Sequence, residues 1–144
     1  MREVSLRETH SVLRQELGYL QQASYCAALI EQTTEMDTPV PVVFELMAGL
    51  LNYLPRRSAE PQTLFAFELK LLSELGLKPE LDKTKLNQGT KQFVQAITES
   101  DWSQIARIKP SAAQVKELNQ FLHGFLIFHL GKIPKGRNAA LHFT

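Results

Sequence analysis

The chain has 144 residues, of which 44% are hydrophobic and 22% charged, with a net charge of +1 at neutral pH. That length suits one domain with a real core, and with that balance a folded globule is expected and disorder is not. The single cysteine excludes an internal disulfide and a multi-cysteine zinc site, and no apolar run reaches the roughly 18 residues needed to span a bilayer.

The start, Met1-Arg2-Glu3, has no apolar signal region, so a soluble cytoplasmic protein is expected. The small net charge hides an asymmetry. Residues 1–60 carry five Lys/Arg against eight Asp/Glu, residues 61–100 five of each, and residues 101–144 six against two. The C-terminal end is therefore the part that would attract an anionic partner.

From about Leu6 to Thr34, Leu13, Leu17, Leu20, Ser24 and Ala27 recur at helical spacing, widened by Tyr25 and Leu29. Cys26 in this stretch reads as a buried, inert thiol. Thr38-Pro39 opens a second helix, with Val43, Leu46, Met47, Leu50, Leu51 and Leu54 as its buried face and Pro55 as its end. The Pro61 region opens a third, with Leu64, Phe67, Leu71, Leu72 and Leu75 on one face. Gly76 stands at its left-handed cap, and Glu68 and Glu74 are expected to face solvent. Residues 79–89 read as the main loop. Phe93, Val94 and Ile97 then predict a short helix. Trp102, Ile105, Ala106 and Ile108 predict another, capped by Ser100 or Asp101 and stopped by Pro110. Ser111 caps the last long helix, whose apolar positions are Val115, Leu118, Phe121, Leu122, Phe125 and Phe128, and Gly131 ends it. A tail packing through Leu141 and Phe143 follows. No alternating apolar run supports a strand. The expected fold is all-α, a compact bundle of about five to six helices in one domain over residues 1–144.

Local chemistry is sparse. His10, His123, His129 and His142 show no ligand spacing, no serine lies in a G-x-S-x-G context, and no phosphate-binding glycine loop occurs. No metal, cofactor or small-molecule substrate is expected. His129 in the last helical turn suits the partial negative charge of that helix end. Trp102 reads as core in preference to a base-stacking side chain. The cations Lys132, Lys135 and Arg137 follow the long helix, while Lys109 and Lys116 flank its start. Two readings stay open: Lys132 offsets the partial negative charge of the helix end and the others are simply solvated, or together they frame a groove suited to phosphates or to an acidic peptide with an apolar end.

The helix Phe67-Glu68-Leu69-x-Leu71-Leu72-x-x-Leu75-Gly76, followed by Pro79, resembles the C-terminal helical region of the RecO family of DNA recombination and repair mediators. The segment Leu130-Gly131-Lys132-Ile133-Pro134-Lys135-Gly136-Arg137-x-x-x-Leu141 is similar to that family's closing L-G-x-K-x-x-K-S-R segment. Tyr19 to Leu54, with Glu31 and Glu35 ahead of Pro39, is similar to its long helix and the helix after it. The resemblance implies a recombination mediator, not an enzyme. Its implied partners are single- and double-stranded DNA, RecR and the acidic, apolar-ended tail of single-stranded DNA-binding protein, with annealing and recombinase loading as the outcome. It also implies a bacterial cytoplasmic, nucleoid-associated protein.

Departures follow as well. The family's OB-fold domain is expected to be missing from this chain, so its own DNA binding should be weak. Residues 80–109 lack the zinc-binding cysteines of many relatives, so no zinc finger carries over. Phe65 and Ala66 stand where relatives often have Arg, and Gly136 replaces the usual Ser. The expected DNA- or acid-binding residues are Lys132, Lys135, Arg137, Lys109 and Lys116. Phe65, Leu69 and Leu72 are expected to form an apolar partner pocket. The alternative reading is a purely structural interaction adaptor with no DNA contact of its own.

Overall fold

A computed structural model describes residues 17–18, 20–33, 40–53, 60–105 and 107–141. They form an all-α bundle with no strand among the described residues. The helices are α1 (17–18 and 20–33), α2 (Val40–Tyr53), α3 (Pro61–Glu74), α4 (Gln88–Glu99), α5 (Trp102–Ile105), α6 (Ala112–Leu130) and α7 (Arg137–Leu141). Leu13, Thr38, Pro39, Leu54, Pro55, Ala106 and Phe143 lie outside the described residues, as do the side chains of Val43 and Leu51.

The central element is α3. Pro61 occupies its first turn, where a missing N–H leaves nothing unsatisfied. Residues 62–69, 71 and 72 are all buried. A helix buried nearly all round must be surrounded, and α3 packs on α2, α4, α5, α6 and α7. Phe93, Val94 and Ile97 of α4 and Leu118, Leu122 and Leu126 of α6 join it in one core. Its end follows from Gly76, at φ 74°: the Leu77 N–H bonds Leu72 O at 2.8 Å and the Gly76 N–H bonds Ser73 O at 3.1 Å. This is the Schellman arrangement that a left-handed glycine permits.

Other ends match expectation too. Ser111 and Gln114 form a reciprocal capping box at the start of α6, with bonds of 3.2 and 2.9 Å. Gly131 closes that helix. The Asp101 carboxylate caps α5, accepting from the Gln104 N–H at 2.9 Å and from Ser103 Oγ at 2.7 Å. The loop over 79–89 is less irregular than expected. Leu81–Lys83 forms a 3-10 turn, Pro79 and Leu86 are buried, and α4 begins at Gln88.

Two expectations about faces fail. In α1, Leu17 (56% exposed) and Leu20 (63%) face solvent together with Ser24 and Ala27, while Gln22, Tyr25, Cys26, Leu29 and Thr33 are buried. Hydrogen bonds across the bundle set this rotation. Tyr25 Oη donates to Glu68 at 2.7 Å, and Gln22 Nε2 donates to Glu60 O at 3.0 Å. In α6, Phe128 is 82% exposed. At 3.6 residues per turn it lies about 120° from Leu122, beyond the buried stripe.

Candidate functional site

Lys109 and Lys116 are exposed on either side of the α6 N-terminus. Lys116, together with Pro110 next to Lys109 in the chain, borders a recess of about 330 Å³ whose other walls include Phe65, Val115, Asn119 and Leu141. Its floor combines α3, the start of α6 and α7. Phe65 thus reaches the recess although its residue surface is buried. Leu69 lines a different recess, of about 260 Å³, with Lys78, Pro79 and Val94. Leu72 is buried and lines neither. The three apolar residues expected to share one pocket are therefore separated, because neighbours cover α3 on every side.

Lys132 and Lys135 are exposed after the end of α6, and Gln32 Nε2 of α1 donates to the Lys132 carbonyl at 2.7 Å. Arg137 is not with them. It is 3% exposed, and its guanidinium grips Glu68, itself fully buried, through Nε–Oε2 at 2.7 Å and Nη2–Oε1 at 2.9 Å. Nη1 donates to Asn119 Oδ1 at 2.5 Å. The expectation that Arg137 meets an external anion is corrected here, as is a solvent-facing Glu68. A buried carboxylate needs an internal partner, and Arg137 supplies a two-pronged one. Burial alone would push the guanidinium down, but Glu68 holds its affinity for a proton above the ordinary value. The same carboxylate, acting after burial, raises Tyr25 and Cys26. Burial of Cys26 fits the inert thiol read from the sequence.

Trp102 packs in the core margin. Its indole lies against Gly49 of α2, and Lys70 Nζ sits 5.7 Å from the ring centroid. Lys70 also donates to the carbonyls of Thr98 (3.1 Å) and Ser100 (2.6 Å), closing the end of α4 onto α3.

An aromatic cluster escaped the sequence reading. Phe121 and Phe125 have ring centroids 5.5 Å apart, Phe125 and His129 4.3 Å, and Phe128 and His129 5.0 Å. Phe121, Phe125 and His129 line a recess of about 400 Å³ together with Lys78, Pro79, Glu80 and Lys83, and Phe128 is not among its walls. The signal was present as aromatics at 121, 125, 128 and 129, but all three Phe were assigned to the core. Among the described residues no helix is long and apolar enough to cross a membrane, and no three His, Cys, Asp or Glu side chains gather as a metal site.

The family model for the C-terminal region of recombination protein O matches residues 14–85. The chain belongs to this RecO C-terminal family. The match contains α3 and Glu68 but stops before α4, so Arg137 and the aromatic cluster lie beyond it. Among relatives named DNA repair protein RecO, that of Bacillus pumilus is 36% identical over 76 residues, covering 53% of this chain and 30% of the relative. That of Myxococcus xanthus is 34% identical over 76 residues, covering 53% and 31%. The RecO protein of Alkaliphilus metalliredigens is 23% identical over 155 aligned positions, covering 84% of this chain and 63% of the relative. The matched stretch spans about a third of the length of the first relatives. No solved structure matches the chain.

Proposed function

We propose that this chain is a non-enzymatic recombination-mediator module in DNA repair, docking protein partners and assisting DNA binding, annealing and recombinase loading. Support comes from the name its relatives carry, DNA repair protein RecO, and from one feature of the geometry. That feature is the apolar recess at Phe65, Val115 and Leu141 with Lys116 in its wall and Lys109 beside it. An apolar side chain fills such a recess while carboxylates ahead of it meet the lysines. This is the chemistry of the acidic, apolar-ended tail of single-stranded DNA-binding protein. RecR is the second proposed protein partner. Lys132 and Lys135 are the proposed phosphate contacts, and a cytoplasmic, nucleoid-associated location suits both roles. The adaptor reading, without DNA contact, draws support from the burial of Arg137, which removes one of the five expected cations.

Fluorescence anisotropy with the tail peptide tests the docking. Lys109→Glu/Lys116→Glu is expected to weaken binding at least severalfold at low salt, and unchanged affinity argues against the recess. A DNA titration tests the second role. Two lysine–phosphate contacts to a single strand give a slope of roughly −1.4 in log affinity against log salt. Lys132→Ala/Lys135→Ala should flatten it, whereas absence of DNA binding leaves the adaptor reading.

A further inference from the structure

We infer that the ring cluster on α6 is a stacking platform for unpaired bases of a single-stranded nucleic acid. Lys78 and Lys83 across the recess meet its phosphates. The inference rests on the DNA reading above but moves base contact to a different face.

Four rings, Phe121, Phe125, His129 and Phe128, make a continuous chain of contacts between 4.3 and 5.5 Å. They fall within an arc of about 100° along α6 that overlaps one edge of the buried stripe of Leu118, Leu122 and Leu126 at His129 and reaches outward to Phe128. The inner rings, Phe121 and Phe125, are half-buried and held by the core. The outer ring, Phe128, is 82% exposed and held edge-on by His129. The free face of Phe128 is thus presented by a supported ring, not by an isolated mobile one. Bases stack on such faces irrespective of sequence, and only unpaired bases have faces to offer.

Charge selects the occupant. Lys78 and Lys83 are exposed in the wall of the recess that Phe121, Phe125 and His129 also line, with Phe128 one ring contact beyond it. Glu80 pairs with Lys83 at 2.8 Å, but both side chains are largely in water, where such a pair is weak and readily exchanged for phosphate. Aromatic faces with cations one recess away match the alternation of base and phosphate. An aliphatic peptide anchor would instead use the recess at Phe65, which has apolar walls from three elements.

The test uses the whole chain and a thymine oligonucleotide carrying 2-aminopurine. The wild-type protein is expected to bind it and quench the probe. Phe128→Ala should abolish quenching and weaken binding by about tenfold or more, and Phe128→Tyr should restore both. The high exposure of Phe128 leaves the fold intact, which an unchanged thermal melt verifies. Lys78→Ala/Lys83→Ala should reduce the salt dependence while quenching persists at saturation. Binding that survives Phe128→Ala with quenching unchanged overturns the platform and leaves the DNA reading standing. Failure of the wild-type protein to bind any single strand overturns both. Loss of tail-peptide binding in Phe128→Ala, with DNA binding intact, would assign the face to protein docking and overturn the platform.

Discussion

Glu68 accepts from Tyr25 Oη and from two nitrogens of Arg137, all within 2.9 Å, at a point with no solvent exposure. The three residues come from α1, α3 and α7, so one carboxylate ties the first helix, the central helix and the last. Removing one partner of a buried pair is far costlier than forming the pair is favourable, because a desolvated charge stays behind. Arg137→Ala is therefore expected to lower unfolding free energy by about 3–5 kcal/mol in urea titrations. Replacing Glu68 and Arg137 together by Leu and Met should recover most of that loss. A single Arg137→Ala variant as stable as the parent would instead mean that the guanidinium works outside the protein. Glu68 illustrates the limit of reading residues in isolation. Its neighbours Phe67 and Leu69 showed a helix, yet the partner that explains its burial lies 69 residues away.

Among elements, the short α5 depends most on a close approach. It rests on α2 at Gly49, where an added Cβ would lie 2.7 Å from Trp102 Nε1. Lys70 Nζ also lies over the indole, 5.7 Å from its centroid, and the ring packs at the margin of the core. Gly49→Ala is expected to cost about 1–3 kcal/mol through overpacking. Trp102 is the sole tryptophan, so a shift of its emission reports the displacement directly. Unchanged emission and stability would show that α2 and α5 can part freely. Helix ends were legible because caps are local chemistry: Ser111 with Gln114, Asp101, and Gly76 act within a few residues. Helix rotation was not. The buried stripe of α1 runs through Tyr25, which the pattern included, but also through Gln22, which a hydrophobic pattern turns outward and which a distant acceptor at Glu60 draws in.

Across the whole molecule, burial couples folding to pH on the alkaline side. Tyr25 and Cys26 are raised above their ordinary values of 10.0 and 9.0 by burial first and then by Glu68. In the unfolded chain both release protons at those ordinary values, while the folded chain retains them. Stability is thus fully present below about 9 and falls as pH rises beyond it, by about 1.4 kcal/mol per pH unit for each such proton. Lys70, lowered by burial with Asp101 opposing, has the opposite sign and softens the fall as pH approaches 10.5. Urea midpoints across this range should show the decline, and Cys26→Ala should move its onset from near 9.0 toward 10.0. A flat profile would mean that the two groups are reached by water.

By itself the sequence determined the helical class, the positions of the caps, the inert thiol and the family, since each depends on residues close together along the chain. Tertiary structure alone decided which of those helices' side chains are spent on the core and which remain outside. Arg137 went inward because a carboxylate on α3 was waiting for it, and Phe128 stayed outward because the core stripe of α6 was already filled. Burial is a property of packed neighbours, and no stretch of chain carries its neighbours with it.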